Sequence, residues 1–260
     1  MAADRASRSV TIIGTRIDRL AMGEFLERFE RLLARSAPGH IITANVDTVM
    51  EEHGDPSCAR IIAGAELVVP DGVPLLWAAR FLGTPLPQRL NGTDLMEKIC
   101  ALAAQRGFSV FLLGAEEGIA AQAASNLQRR FPGLHVSGAY APYHGFENDA
   151  RENEKICTML REKKPDVLFL SLGLPKGIQW IDRHLADCGK IVAIEVGSSF
   201  MFLSGRMKRA PRWMQKNGLE WLWRLGLEPR RLWKRYLLND LPFFYLLLKQ
   251  KYSRSKPRQS

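Results

Sequence analysis

Asp71 is the residue of this sequence whose position best suits a catalytic carboxylate. It follows the apolar run LVV and stands between Pro70 and Gly72. A carboxylate at the end of a strand is well placed to act as a general base that deprotonates an attacking hydroxyl. Pro-Asp-Gly is also a common turn sequence, so spacing alone favours a turn over a catalytic role.

Thr43 and Asn45 follow an earlier apolar stretch, HII, in a similar way. Their polar side chains could bind a ligand at the end of that strand. Asn is also a favoured N-cap residue, and a helix is predicted to begin at Val46. The residue types alone therefore favour a helix cap over a ligand contact.

A glycine-containing turn, Gly114 to Gly118, follows the apolar run at 108–113. It resembles half of a phosphate-binding turn, but it is not GxGxxG and it lacks the P-loop lysine. A nucleotide ring or ribose near this turn and a plain strand-to-helix connection both remain open.

The elements that must position these residues alternate along the chain. Apolar runs bounded by Gly or Pro predict strands, and segments with helical spacing predict the helices between them. This alternation indicates an α/β fold with a mostly parallel sheet and flanking helices. The predicted strands are 9–14, 40–43, 65–69, 108–113, 134–138, 166–172 and 190–196.

Ligands of such sheets bind outside the carboxyl ends of the strands. The loops that follow the predicted strands are therefore the candidate functional positions. These loops are 43–45, 70–72, 114–118, 173–176 and 197–199.

The segment 206–260 accounts for the whole net positive charge of the chain. It has 15 Lys and Arg residues against three acidic residues, a net charge of +12, and the whole chain carries +10. Four of the six tryptophans lie there, and helices are predicted over 210–225 and 229–238, followed by an apolar piece at 243–248. We expect a catalytic core at 1–205 and a basic, Trp-rich helical appendage at 206–260 that contacts an anionic membrane surface.

The cations of this appendage are candidate diphosphate ligands, because the planar fork of Arg pairs with phosphate oxygens. A solvated cationic face is the alternative. The candidates are Arg206, Lys208, Arg209, Arg212, Arg224, Arg230, Arg231, Lys234 and Arg235.

Several classes of protein fit the sequence poorly. No apolar run reaches the roughly 18–20 residues that span a bilayer, and the N-terminus lacks the apolar region of a secretory signal. The four cysteines have no CxxC spacing, which argues against a zinc site or a disulfide framework and favours a cytoplasmic location. No DxD, HxH or HExxH pattern occurs, so we expect no metal or other cofactor.

Several motifs together resemble one family, the WecG/TagA/CpsF family of bacterial glycosyltransferases, over nearly the whole chain. The PDG loop and the two C-terminal stretches are specific in combination. The matching pieces are Thr43-Ala-Asn45, VVPDGVPLLWAARFLG at 68–83, RLNGTDLM at 89–96, VFLLGAEEG at 110–118, LGLPK at 172–176, VGSSFMFLSGRMKRAPRWMQKNGLEWLWRL at 196–225 and EPRRLWKRYL at 228–237.

The resemblance implies a Rossmann-like core and a membrane-contacting C-terminal appendage. It implies transfer, with inversion, from a UDP-sugar to a polyprenyl-diphosphate-linked saccharide on the cytoplasmic face of the membrane, in cell-surface or exopolysaccharide synthesis. Asp71 falls on the general base and Thr43 on a neighbouring active-site threonine. The residues expected to bind substrate are Asn45, Asn91, Gly114, Lys176, Arg209, Arg224, Arg231 and Arg235.

One departure from the family pattern concerns the residues after the LGLPK turn. The family usually has Gln-Glu there, and this chain has Gly177-Ile178. A polar contact to the donor is therefore missing or displaced, which leaves the identity of the donor sugar open.

A second hypothesis follows from the charge of the appendage: a nucleotide-fold protein whose basic tail binds nucleic acid. The basic residues are interleaved with Leu, Trp and Phe, which favours a membrane surface, so we expect no nucleic-acid partner. A homo-oligomer is left open.

Overall fold

The computed structural model describes residues 9–216, 218–227, 229 and 240–255, which form a sheet covered by helices on both faces. The strands are β1 Ser9–Ile12, β2 Thr15–Asp18, β3 Gly39–Ala44, β4 Leu67–Pro70, β5 Ser109–Gly114, β6 His135–Tyr140, β7 Val167–Ser171 and β8 Val192–Glu195. The helices are α1 Met22–Leu33, α2 Val46–Gly54, α3 Pro56–Gly64, α4 Val73–Phe81, α5 Gly92–Arg106, α6 Ile119–Arg130, α7 Ala150–Lys163, α8 Lys176–His184, α9 Ser199–Leu203, α10 Arg212–Lys216, α11 Glu220–Leu227 and α12 Asp240–Ser255.

Six strands form the main sheet in the order β4-β3-β8-β7-β5-β6, and every neighbouring pair is parallel. The α/β class and the parallel sheet predicted from the alternation of elements are confirmed. The chain leaves β5 toward β6 at one edge and leaves β7 in the opposite direction toward β8. The connections thus diverge between β5 and β7, which is where such sheets open a ligand crevice at their carboxyl ends.

Both faces of the sheet are buried, as the near-continuous apolar strands require. Alternate residues of β3 show this, because Ile41 packs in the core that includes α1, α5 and α6, and Ile42 packs with α2, α3 and α4. On the other half of the sheet, Leu168 of β7 packs with α7 and α8. The helices thus hold the strands rigidly and leave the ends of the strands to carry polar residues.

The first predicted strand belongs to a separate hairpin. β1 pairs with β2 in antiparallel fashion and does not join the main sheet. The two residues between them, Ile13 and Gly14, have φ values of 50° and 94°. Positive φ at both turn positions is typical of a tight two-residue hairpin turn, which matches the twist of the paired strands.

The single helix predicted over 210–225 is wrong, because the structure has two helices, α10 and α11. Gly218 lies between them with a φ of +71°, and a Cβ atom there would lie 2.8 Å from Cγ1 of Val73. A left-handed glycine ends a helix, and this one also lets the backbone approach the start of α4. Of the second predicted appendage helix, 229–238, only residue 229 is among the described residues.

Helix α12 packs along the hairpin and α2. Phe243 and Leu247 are buried in the same core as Ile42, and the side chain of Gln250 donates to the carbonyl of Thr11 over 2.8 Å. The opposite side of α12 exposes several large apolar side chains. Across the described residues, no helix has both the length and the apolarity that crossing a bilayer would need.

Candidate active site

Several of the predicted site residues lie together at the carboxyl ends of β3, β4, β7 and β8. Asp71 follows β4 directly, and its backbone N–H donates to the carbonyl of Ala44 over 2.7 Å. The N–H of Gly72 reaches the same carbonyl at 3.3 Å. The PDG loop is therefore attached to the end of β3, and Asp71 is partly buried beside it.

Thr43 lies within β3, and only 7% of its surface is exposed. Its hydroxyl donates a hydrogen bond of 2.8 Å to the backbone carbonyl of Glu195, the last residue of β8. Thr43 thereby ties the ends of two neighbouring strands together, one residue before the carbonyl that holds Asp71. The structure thus places Thr43 and Asp71 near each other, at the carboxyl ends of the neighbouring strands β3 and β4.

Asn45 caps helix α2, as its residue type indicated. Its side-chain oxygen accepts from the N–H of Thr48 at 3.1 Å, and the Thr48 hydroxyl in turn accepts from the N–H of Asn45. An ideal Cβ at Gly72 would lie 3.4 Å from the Cα of Asn45, so the cap adjoins the PDG loop. Asn45 helps to position this loop, and its predicted contact with substrate stays a prediction.

Asn91 caps α5. The preceding residue, Leu90, lies beside the PDG loop, because its N–H donates to the carbonyl of Pro70 over 2.7 Å. The Asn91 side chain is itself hydrogen-bonded. Its side-chain oxygen accepts from the N–H of Asp94 at 3.0 Å and from Arg209 at 3.3 Å. The cap is thus shared between α5 and the segment that follows α9.

Arg209 is held by two carboxylates. Its guanidinium lies 2.7 Å from Asp94 and 3.4 Å from Glu220, and Glu220 also pairs with Arg89 at 2.6 Å. Burial alone would raise the pKa of Asp94, but the hydrogen bond and charge of Arg209 hold that pKa below its usual value. This ion-pair cluster attaches α11 to the start of α5, and the predicted contact of Arg209 with substrate stays a prediction.

Gly114 ends β5 at the point where the connections diverge. Its φ is +112°, and a Cβ there would lie 2.5 Å from the carbonyl oxygen of Ser171 at the end of β7. The next N–H, that of Ala115, donates to the same carbonyl over 2.8 Å. Glycine is needed here for close backbone approach, and its predicted contact with substrate stays a prediction.

Lys176 begins α8 after the turn that follows β7. Its ammonium pairs with the carboxylate of Glu147, which lies after β6. The hydrogen bond from Lys176 is the largest cause of a lowered pKa of Glu147. This pair joins the loop after β7 to the loop after β6, whereas Asp71 follows β4 at the other side of the sheet.

The appendage residues with the strongest predicted role in diphosphate binding lie largely outside the described part of the chain. Arg231 and Arg235 are not among the described residues, and for Arg224 only its backbone position in α11 is described. Among the described residues, no group of three or more His, Cys, Asp or Glu side chains is arranged to hold a metal ion.

The chain matches one family model, described as "Glycosyl transferase WecG/TagA/CpsF family", over residues 10–257. The chain belongs to this family. The resemblance drawn from the PDG loop and the C-terminal motifs is confirmed, and so is the assignment of the protein as a glycosyltransferase.

Two similar curated proteins carry the same name, N-acetylglucosaminyldiphosphoundecaprenol N-acetyl-beta-D-mannosaminyltransferase. The one from Bacillus spizizenii is 30% identical over 217 residues, which cover 84% of this chain and 81% of that protein. The one from Staphylococcus aureus is 29% identical over 245 residues, which cover 93% of each protein.

Glu195 also lies at this end of the sheet, and the sequence did not single it out. Glu195 is 3% exposed, and its carboxylate accepts from the N–H groups of Gly173 and Gly197 at 3.2 and 3.3 Å. The predicted strand 190–196 contained Glu195, but no role was assigned to it. A charged residue inside a fully buried strand was the available signal.

Proposed function

We propose that this protein transfers a sugar from a UDP-linked donor to a polyprenyl-diphosphate-linked saccharide, with inversion at the anomeric carbon. The names of the two relatives support this reading, because they describe N-acetylmannosaminyl transfer to an acceptor of that type. Membership of the WecG/TagA/CpsF family supports it over the nucleic-acid-binding hypothesis.

The observation that carries the proposal is the position of Asp71. The loop that contains it is attached to β3 through the carbonyl of Ala44, next to Thr43, at the carboxyl end of the sheet. A carboxylate held by rigid strand ends is suited to general-base catalysis, because its distance to a bound hydroxyl varies little.

The reaction is a single displacement. The acceptor hydroxyl oxygen forms a bond to the anomeric carbon while Asp71 takes the hydroxyl proton. The bond from that carbon to the β-phosphate oxygen breaks, and its electron pair leaves with UDP. Attack opposite the leaving group inverts the configuration.

The developing charge on UDP requires nearby cations. We propose that arginines of the appendage supply this positive charge without a metal ion. The sequence has no DxD triplet, and the segment 206–260 has a net charge of +12. Arg224, Arg231 and Arg235 are the candidates. Arg209 differs from them, because its charge is already shared between Asp94 and Glu220.

We propose that the acceptor is presented by a membrane surface on the cytoplasmic side. Trp77 and Phe81 of α4 are 51% and 42% exposed, and the ammonium of Lys251 in α12 lies 5.5 Å from the Phe81 ring centre. The exposed apolar side chains of α12 continue this surface: Leu241, Phe244, Tyr245, Leu248 and Tyr252. Exposed aromatic residues with adjacent lysines are typical of proteins that bind anionic bilayers.

The proposed surface also lies at a useful distance from the proposed base. Helix α4 begins two residues after Asp71, and its nine residues extend over about 13 Å. The base is therefore about one short helix length from the exposed aromatic residues. A sugar attached through a diphosphate to a membrane lipid can reach that distance.

The deciding experiment is a screen of UDP-sugars against a short-chain polyprenyl-diphosphate-linked N-acetylglucosamine. UDP release and product mass identify the donor, and NMR of the product gives the anomeric configuration. A disaccharide product with inverted configuration supports the proposal. No UDP release with any donor, or tighter binding to oligonucleotides than to anionic vesicles, would contradict it.

A further inference from the structure

The carboxyl group of Glu195, at the end of β8, occupies the space beside Gly177, at the start of α8. An ideal Cβ on Gly177 would lie 2.2 Å from Oε2 of Glu195 and 2.8 Å from its carboxyl carbon. Real Cβ atoms do not approach other atoms this closely, so residue 177 must be glycine while Glu195 keeps this position. The requirement concerns space, since Gly177 is not among the glycines with positive φ.

The carboxyl group of Glu195 is bound on one side only. Oε1 accepts from the N–H groups of Gly173 and Gly197, and Oε2 is buried without a hydrogen-bond partner. Burial raises the pKa of Glu195 to about 8, opposed by backbone N–H groups including those of Gly173 and Gly197, and no charged side chain of the described residues contributes. The group is therefore mostly protonated near neutral pH, with its proton on Oε2, because Oε1 is the acceptor.

A protonated carboxyl group offers the same hydrogen-bonding pattern as a carboxamide, with one oxygen that accepts and one group that donates. Glu195 therefore places a carboxyl group with amide-like hydrogen bonding in the space that a side chain at 177 would need.

Glu195 also contacts several of the strand ends that meet at the candidate site. Its backbone carbonyl accepts from Thr43, its carboxyl group holds the N–H of Gly173, and Gly173 opens the turn that leads to Lys176. One residue thus connects the end of β3, the turn after β7 and the turn after β8.

We propose that Glu195 is a positioning residue of this active site, whose carboxyl group fills the space beside Gly177 and holds the turn 173–176 against the ends of β3 and β8. This inference rests on the proposed sugar transfer, because its main readout is turnover. It adds a residue that the proposed mechanism does not contain.

The first test is a double-mutant cycle with Gly177→Gln, Glu195→Gly and the double variant. Each single variant should lose about tenfold or more in kcat/KM for the donor, one through a clash and the other through loss of the anchor. The double variant should regain most of that loss, because the amide then occupies the vacated space. Losses that simply multiply in the double variant would overturn the proposal.

The second test does not depend on the folding of the Gly177 variants. Glu195→Gln should keep most of the turnover near pH 7 and lack the alkaline decline that deprotonation of Glu195 produces in the wild type, and Glu195→Ala should lose turnover throughout. Glu52→Gln is the matched control, since burial also raises the pKa of Glu52 but this residue lies in α2 beside Thr15. It should show the wild-type pH profile.

Identical alkaline declines in the wild type and Glu195→Gln would overturn the role of Glu195 alone. Absence of turnover in the wild type with every UDP-sugar would overturn the proposed function together with it. The two failures are thereby distinguished by the wild-type protein.

Discussion

The backbone N–H of Asp71 donates a 2.7 Å hydrogen bond to the carbonyl of Ala44, and this contact holds the loop after β4 against the end of β3. The bond uses the backbone of Asp71, so replacement of its side chain leaves the attachment intact. Effects of a substitution at Asp71 on turnover can thus be separated from effects on the fold.

Asp71→Asn should lower turnover by about 10²–10⁴-fold, the usual contribution of a general base, while UDP binding and thermal unfolding change little. The measurements are UDP release, calorimetric titration with UDP, and circular dichroism. Asp187→Asn is the control. Asp187 is an exposed carboxylate that precedes β8, so it lies toward the amino ends of the strands and away from Asp71. Turnover near the wild-type value in Asp71→Asn would exclude this residue as the base.

Glu220→Gln should lower the free energy of unfolding by about 1–3 kcal/mol, because it leaves Arg89 and Arg209 with a weaker partner in a largely buried cluster. Urea unfolding measures this change. Glu27→Gln is the matched control, since Glu27 forms an exposed pair with Arg31 within α1, and its loss should have an effect below about 0.5 kcal/mol. Equal effects of the two changes would mean that the cluster does not attach α11 to the core.

The stability of the protein should depend on the protonation of Glu195. Its pKa is raised from 4.5 to about 8 in the folded state, so the folded protein keeps a proton that the unfolded chain releases over that interval. The free energy of unfolding should therefore fall as pH rises from 4.5 toward 8, with a contribution on the order of 1 kcal/mol per pH unit. Glu195→Gln should lack this contribution, which urea unfolding across that range would detect as a difference in slope.

Replacement of Trp77 and Phe81 by Ser should lower partitioning onto anionic vesicles by about tenfold or more, since each aromatic side chain contributes roughly 1–2 kcal/mol when buried in the interface. Vesicle sedimentation measures the partitioning. Tyr143→Ser is the control, because Tyr143 is equally exposed but lies after β6, at the other edge of the sheet. Unchanged partitioning in the double variant would show that this surface does not contact the membrane.

Treatment with EDTA should leave turnover unchanged, because the proposed mechanism places arginines, and no metal ion, opposite the departing UDP. The measurement is UDP release before and after dialysis against the chelator, with added Mg²⁺ as the comparison. A loss that Mg²⁺ restores would show that the reaction needs a cation the proposed mechanism lacks.

The sequence by itself determined the α/β class, the approximate strands of the main sheet and the loops that carry Thr43 and Asp71. These features depend on local apolar periodicity and on turn residues, which a short segment contains in full. Helices α3 and α5 were not predicted, although Asp55 and Asn91 are ordinary caps for them and their buried residues recur at helical spacing.

Only the tertiary structure decided which of these residues meet. The hairpin of β1 and β2, the break at Gly218 and the pairing of Arg209 with Asp94 and Glu220 all depend on contacts between segments distant in sequence. The place of Glu195 is the clearest case, since its neighbours Gly173 and Gly177 come from another strand end. Packing selects such contacts through volume and hydrogen-bond satisfaction across elements, and no local pattern contains that information.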